Sequence, residues 1–241
     1  DNMINDSDVL LWLDNFDFLS YKKKEKILEL VESPTEFINF GKFQELKSQL
    51  LKIVKEDELA ILTKTLNEVS IGKIKENLNN LKISYITVFS ANYPEALKNI
   101  DTPPFVLYYK GDISLISKQG FAIVGTRHIS NYGKVVTENF TRGLVLAGFH
   151  TISGLAVGVD TIAHTVTLDC GGKTIAVLAG GLDTIYPTTN ENLANRIVSS
   201  GGLLISETRP NRQAETYMFP IRNRIIAGLC RGVLITEAGE K

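Results

Sequence analysis

Cysteine is nearly absent from this chain. Only Cys170 and Cys230 occur, far apart and without a metal-ligand spacing, so neither a disulfide framework nor a zinc site is expected. Each stands in a helical, largely apolar context and reads as a small core residue. Long apolar runs are missing too; none reaches the roughly 18 residues a membrane span needs. The acidic, polar stretch Asp1–Asp8 lacks the basic and apolar regions of a secretory leader. These absences point to a reducing, cytoplasmic setting away from membranes. A charge excess is also lacking: 26 Lys/Arg stand against 27 Asp/Glu, which argues against a protein that coats duplex DNA through overall positive charge. The 44% hydrophobic content over 241 residues suits one large or two modest domains.

The charge that is present is unevenly placed. Residues 1–80 carry a net −4 and residues 81–241 a net +3. Arg209 to Arg231 holds five arginines and one acid, Glu215, so any polyanion contact is assigned to the second half.

Residues 1–80 read as short helices. Asp8 to Asn15 is a compact apolar stretch, and Ser20 can cap a helix running to about Val31. Ser33-Pro34 looks like another helix start, with proline at the first position. Leu46, Leu50, Leu51 and Val54 follow a helical period, as do Leu59, Leu62, Leu66 and Val69. A small all-helical domain over 1–80 follows. The Lys22-Lys23-Lys24 run reads as a solvated helix face.

A second domain, 81–241, begins with a change of pattern. Ile83 to Phe89 and Phe105 to Tyr109 are rich in β-branched and aromatic residues, with Pro94 and Pro103-Pro104 between them. After Gly120, strands are expected at 121–124, 150–153, 174–178, 203–206 and 233–236. Helices are expected near 132–147, 159–170, 190–199 and 222–230. Short apolar runs alternating with helices indicate parallel βαβ units. The expected fold is α/β, an extended Rossmann-like, mostly parallel doubly wound sheet that binds ligands outside the carboxyl ends of its strands.

Four segments fall at those ends. In Val124-Gly125-Thr126-Arg127, Gly125 turns the chain off the strand and Arg127 can reach a phosphate over the following helix start. The glycines of a dinucleotide fingerprint are missing, since His128 and Ser130 stand in this stretch, so a nicotinamide cofactor is not expected. In the run from Ser153 to Asp160, Gly154 and Gly158 flank a small-residue turn that offers backbone N–H groups to an anion. Asp160 and His164, four apart on one helix face, suit a metal or acid–base role, or a structural hydrogen bond that fixes the loop. The glycines of Ala179-Gly180-Gly181 allow close approach of a ligand. Finally, Arg222 and Arg224 flank Asn223 at an expected helix start, where dipole and guanidinium charge can converge on phosphate. Phe219 beside them can stack on a base. One of the two arginines is expected to contact the ligand and the other to anchor the loop, through Glu207 or Glu237.

Taken in order, these segments resemble the DNA-processing protein A family (DprA, also called Smf). The resemblance rests on Val124-Gly125-Thr126-Arg127, Tyr132-Gly133, Ser153-Gly154-Leu155-Ala156 with Gly158, Asp160 and His164, Gly181-Leu182-Asp183 with Tyr186-Pro187, Ser206-Glu207, and Phe219-Pro220 with Arg222-Asn223-Arg224 and Ile225 to Leu229. It runs from about residue 83 to 239. It implies binding of single-stranded DNA, cooperation with the RecA recombinase in natural transformation and recombination, a homodimer, and no catalytic residue, metal or cofactor. The DNA-contacting set it implies is Gly125, Thr126, Arg127, Ser153, Gly154, Gly158, Gly181, Phe219, Arg222, Asn223 and Arg224. The helical front matches the family's sterile-alpha-motif-like (SAM-like) domain in position and size. After Glu237-Ala238-Gly239 the family continues with further sheet elements, which implies a chain truncated at its C-terminal end.

The alternative is a nucleotide-binding enzyme, since lysine-decarboxylase-like phosphoribohydrolases share this type of fold. Their signature Pro-Gly-Gly-x-Gly-Thr-x-x-Glu meets Ala179 to Pro187 here, with Asp183 at the third glycine and Pro187 at the catalytic glutamate. A proline cannot supply a carboxylate.

Overall fold

The computed structural model describes residues 3–239. Its sheet comprises β1 (Ser84–Thr87), β2 (Val106–Gly111), β3 (Gly120–Val124), β4 (His150–Ser153), β5 (Thr174–Leu178), β6 (Leu203–Ser206) and β7 (Cys230–Ile235). Their spatial order is β1-β2-β6-β5-β4-β3-β7. The five strands from β6 to β7 are parallel; β2 runs antiparallel to β6, and β1 antiparallel to β2. The expected α/β, Rossmann-like, mostly parallel sheet is therefore present. Four helices join the parallel strands: α7 (Asn131–Leu146), α8 (Val159–Asp169), α9 (Glu191–Ser199) and α10 (Met218–Leu229). A short α6 (Glu95–Lys98) packs beside α10.

Burial on both faces explains the uninterrupted apolar runs of the central strands. In β5 all five residues are buried. Ile175 and Val177 join a cluster with Ile225, Ile226 and Leu229 of α10, whereas Ala176 and Leu178 join one with Ala194 and Ile197 of α9. Successive side chains of a strand point to opposite faces, so one strand feeds both layers.

The helical front comprises α1 (Asp6–Leu13), α2 (Tyr21–Leu28), α3 (Phe40–Leu50), α4 (Glu56–Thr65) and α5 (Glu68–Asn80). Ser20 caps α2, its hydroxyl accepting from the Lys23 N–H. Pro34 opens a single 3-10 turn rather than an α-helix. The helices close around Trp12, Phe37, Phe43, Leu46 and Leu62. The opposite side of α1 faces the sheet: Leu10 and Leu11 pack in one cluster with Val106, Tyr108, Ala176 and Leu178. The Tyr108 hydroxyl, fully buried, donates to Asp14 at 2.5 Å. Within the lysine run, Lys24 is tied to Asp14 at 2.7 Å. Among the described residues no helix is long and apolar enough to cross a membrane.

Two boundaries around the last helix differ from the sequence reading. The last helix begins at Met218, not Arg222, because Pro220 lies in its first turn, where no intrahelical partner for an N–H is needed. Cys230 then opens β7 directly instead of ending a helix.

A candidate nucleic-acid interface at the carboxyl edge of the sheet

From β3 the chain steps outward through β4 and β5 to β6, then returns through α10 to β7 on the other side of β3. The switch in direction lies between β3 and β7, and such a point opens a crevice beyond the strand ends. The loop after β3 sits in it. The Thr126 N–H donates to the Glu237 carbonyl at 2.8 Å, and its carbonyl accepts the Val159 N–H at 3.1 Å. Clamped this way, the loop presents Arg127 as an exposed side chain. Its guanidinium lies 5.1 Å from the centroid of the Phe219 ring, within cation–π range. Tyr186, 55% exposed, brings its ring 5.7 Å from that of Phe219 at a tilt of 60°. Asn223 is exposed nearby on α10. The sequence reading left Tyr186 out of the candidate site; an aromatic just before a proline, at the end of a glycine-rich loop, was the available signal.

Arg222 and Arg224 do not form a free pair at a helix start. Arg222 is 7% exposed. Its Nη1 donates to the carbonyls of Gly154 (2.9 Å) and Val177 (2.7 Å), and its Nε to Asn223 Oδ1. Its guanidinium lies 5.7 Å from the Phe219 centroid, so that ring has an arginine buried behind it as well as the exposed Arg127. Arg224 turns away, forming a fork with both Glu207 oxygens at 2.8 and 2.7 Å while its Nε reaches Thr102. Arg224 is thus the loop anchor through Glu207, and Arg222 is an anchor too. Glu237 anchors neither arginine. Its carboxylate instead accepts the Ser130 N–H at 2.9 Å at the start of α7. That carboxylate takes the position over the α7 N-terminus where the sequence suggests a phosphate.

The loop from Ser153 to Asp160 also differs from expectation. Three of its N–H groups are not free for an anion. Those of Gly154 and Ala156 donate to Asp160 Oδ2, and that of Leu155 to His164 Nε2. His164 is fully buried, and because Nε2 must accept, its proton sits on Nδ1, beside the Thr174 hydroxyl at 2.8 Å. Burial pulls His164 down to about 3, with the Arg222 charge adding to the effect. Burial likewise pushes the Asp160 carboxyl up, against the opposing charge of Arg222 and the two N–H donors. The pair is a structural brace. Ser153 is fully buried, its hydroxyl beside the Asp160 carboxylate. Gly125, Gly154 and Gly181 each lie against protein and not against open space. A methyl there would meet the Glu237 carbonyl, the Arg222 guanidinium and the Arg209 carbonyl respectively. These glycines shape the rim; Arg127, Tyr186 and Asn223 are exposed on it, and Phe219 is half-buried beside them.

Gly158 is the strictest of these positions. It has φ +85° and ψ −128°, a backbone region closed to L side chains, and an added Cβ would lie 2.3 Å from the Thr126 carbonyl oxygen. Gly158→Ala is expected to cost about 2–4 kcal/mol of stability, combining strain and overpacking. It should also push the Arg127 loop out of place. Urea unfolding checks the first effect; an unshifted midpoint would contradict it.

The fold and these loops define a Rossmann-like α/β protein whose switch-point crevice holds an arginine and two aromatic rings in place of a dinucleotide fingerprint. Within that class the chain belongs to the DNA recombination-mediator protein A family, whose sequence model matches residues 84–241. It is 39% identical over 160 residues to the DNA processing protein DprA of Bacillus subtilis, covering 66% of this chain and 54% of that protein. Protein Smf of Borreliella burgdorferi is 33% identical over 236 residues, 95% of this chain and 71% of Smf. Among solved structures, DNA processing protein A of Streptococcus pneumoniae matches with a TM-score of 0.74 at 32% identity, covering 96% of this chain and 77% of that one. The Helicobacter pylori protein, solved for its unique single-stranded DNA binding mode, matches with a TM-score of 0.59 at 34% identity, covering 66% and 71%. The chain spans about half the length of the B. subtilis relative.

Proposed function

We propose that this protein binds single-stranded DNA across the carboxyl edge of its sheet. In this reading bases stack on Phe219 and Tyr186, and Arg127 takes a phosphate. The observation that carries it is the exposed Tyr186 ring beside the half-buried Phe219, with the Arg127 guanidinium 5.1 Å from the Phe219 centroid, at the crevice where an open α/β sheet receives ligands. Stacking on protein rings requires unpaired bases, which a duplex keeps inside. The H. pylori relative's single-stranded DNA binding mode supports the same ligand. Membership of the recombination-mediator family supports a role in DNA recombination; our reading extends it to handing the strand to the RecA recombinase, as a cytoplasmic homodimer. The protein acts as a binder and not as an enzyme: Asp160 and His164 are spent on holding a loop, and Pro187 stands where a phosphoribohydrolase would need its glutamate.

Fluorescence anisotropy with labelled single- and double-stranded oligonucleotides of one length, over a salt series, tests this. Single strands should bind tighter, with a log–log salt slope of roughly −0.7 per phosphate neutralised. Equal or tighter duplex binding would reject the reading. Arg127→Ala should weaken binding by about tenfold while leaving the melting curve unchanged, since the side chain is exposed. Tyr186→Ala should remove about 1–3 kcal/mol of binding as a lost stacking platform.

A further inference from the structure

We infer that Arg209, Arg212 and Tyr217 form a second subsite for the DNA strand, and that Asp17 of the helical front occupies it when no strand is bound. This rests on the single-stranded DNA reading above and extends it. A cleft of about 380 Å³ lies between the α1–α2 connection and the segment leading into α10. Asp17, Arg209, Arg212, Tyr217 and Arg222 all line it, so it adjoins the buried arginine that backs Phe219. Asp17 pairs with both arginines, while Glu215 meets only Arg212, at 3.8 Å. Arg209 Nη2 reaches its two oxygens at 3.1 Å each, and Arg212 Nη1 reaches one at 3.4 Å. One anion facing two guanidiniums is the arrangement a backbone phosphate would make.

The fit of Asp17 to that place is incomplete. Arg209 Nε is buried and has no hydrogen-bond partner among the described residues. Nε and Nη2 form one edge of the guanidinium, and both Asp17 oxygens are spent on Nη2. A phosphate can accept from both nitrogens side by side, as planar guanidinium recognition favours. Asp17 itself is 57% exposed, so its pairs with the arginines are weak and exchangeable. Tyr217, 51% exposed, has its hydroxyl fixed by Arg212 Nη2 at 2.7 Å. Its ring stands at the cleft two residues before Phe219, placed for the next base. The exchange needs only side-chain rotation, because Leu10 and Leu11 keep α1 seated on the sheet. Asp17 thereby lowers DNA affinity in the free protein.

The test uses a graded length series of labelled oligothymidylates with the full chain. Asp17→Asn should bind longer oligomers about two- to tenfold tighter, the worth of one or two half-exposed ion pairs. The gain should vanish in an Arg209→Ala/Arg212→Ala background, as a double-mutant cycle requires. Unchanged or weaker binding by Asp17→Asn, or a gain that persists without the arginines, overturns the inference. If Asp17→Asn does not fold, Tyr217→Ala takes its place: it must weaken long oligomers and spare the shortest, and unchanged affinity at every length overturns the inference. Absence of oligonucleotide binding by the wild type would instead remove the function itself. Normal wild-type binding, weakened by Arg127→Ala, with failure of the Asp17 arm removes only this extension.

Discussion

Arg222→Ala is expected to destabilise the protein by about 3–5 kcal/mol, the cost of removing one member of a buried charged network. Three losses combine. The carbonyls of Gly154 and Val177 lose their shared donor. The Asp160 carboxyl, already pushed up by burial, loses the charge that opposes the push. Finally, the volume of the guanidinium is left empty beneath Phe219. Denaturant unfolding should record the loss, and Arg222→Lys should recover part of it, since a lysine restores charge without the planar fork. A variant with wild-type stability would show that the side chain is dispensable, and the account of a buried anchor would fail.

Mild acid should be nearly as damaging. Burial holds His150 down to about 4, with Lys118 adding to the effect, and His164 down to about 3. In the unfolded chain both titrate near 6.5. Below that pH the unfolded state binds protons that the folded state refuses, so stability is complete above about pH 6.5 and declines as pH falls toward the folded values. Each histidine contributes a limiting slope of about 1.4 kcal/mol per pH unit, or about 2.8 together. Asp160, whose carboxyl is raised by burial, acts in the opposite direction. Urea midpoints at about pH 7.5, 6 and 5 suffice to read it. His150→Leu, which keeps a neutral side chain in that pocket, should remove close to half of the dependence. A flat profile between about pH 6.5 and 5 would contradict the burial argument.

Much of this architecture was legible because parallel strands covered on both faces leave continuous apolar runs such as Thr174 to Leu178. Ser20 was legible as a cap for the same local reason: its hydroxyl serves an N–H three residues on. Other features depend on partners distant in sequence. No local pattern says that the Gly154, Leu155 and Ala156 N–H groups are already taken by Asp160 and His164. Arginine is ordinarily exposed, so the burial of Arg222 follows only from the two carbonyls waiting behind it. Pro220 looks like a residue before a helix, yet it is equally at home in a first turn. Tyr186 reaches Phe219 only because two loops emerge at one edge of the sheet.

The seating of α1 has a consequence for how the chain comes apart. Leu10 and Leu11 belong to the same cluster as Val106, Ala176 and Leu178, while Val9, Trp12 and Leu13 of the same helix belong to the helical front. A two-turn helix that contributes to both cores couples them: neither can open without uncovering the other's apolar surface. Native-state amide exchange should therefore place α1 and β5 in one cooperative unit, with protection close to that of global unfolding. The front helices are a cornerstone of the fold, and the carboxyl edge of the sheet inherits its rigidity from residues of α1.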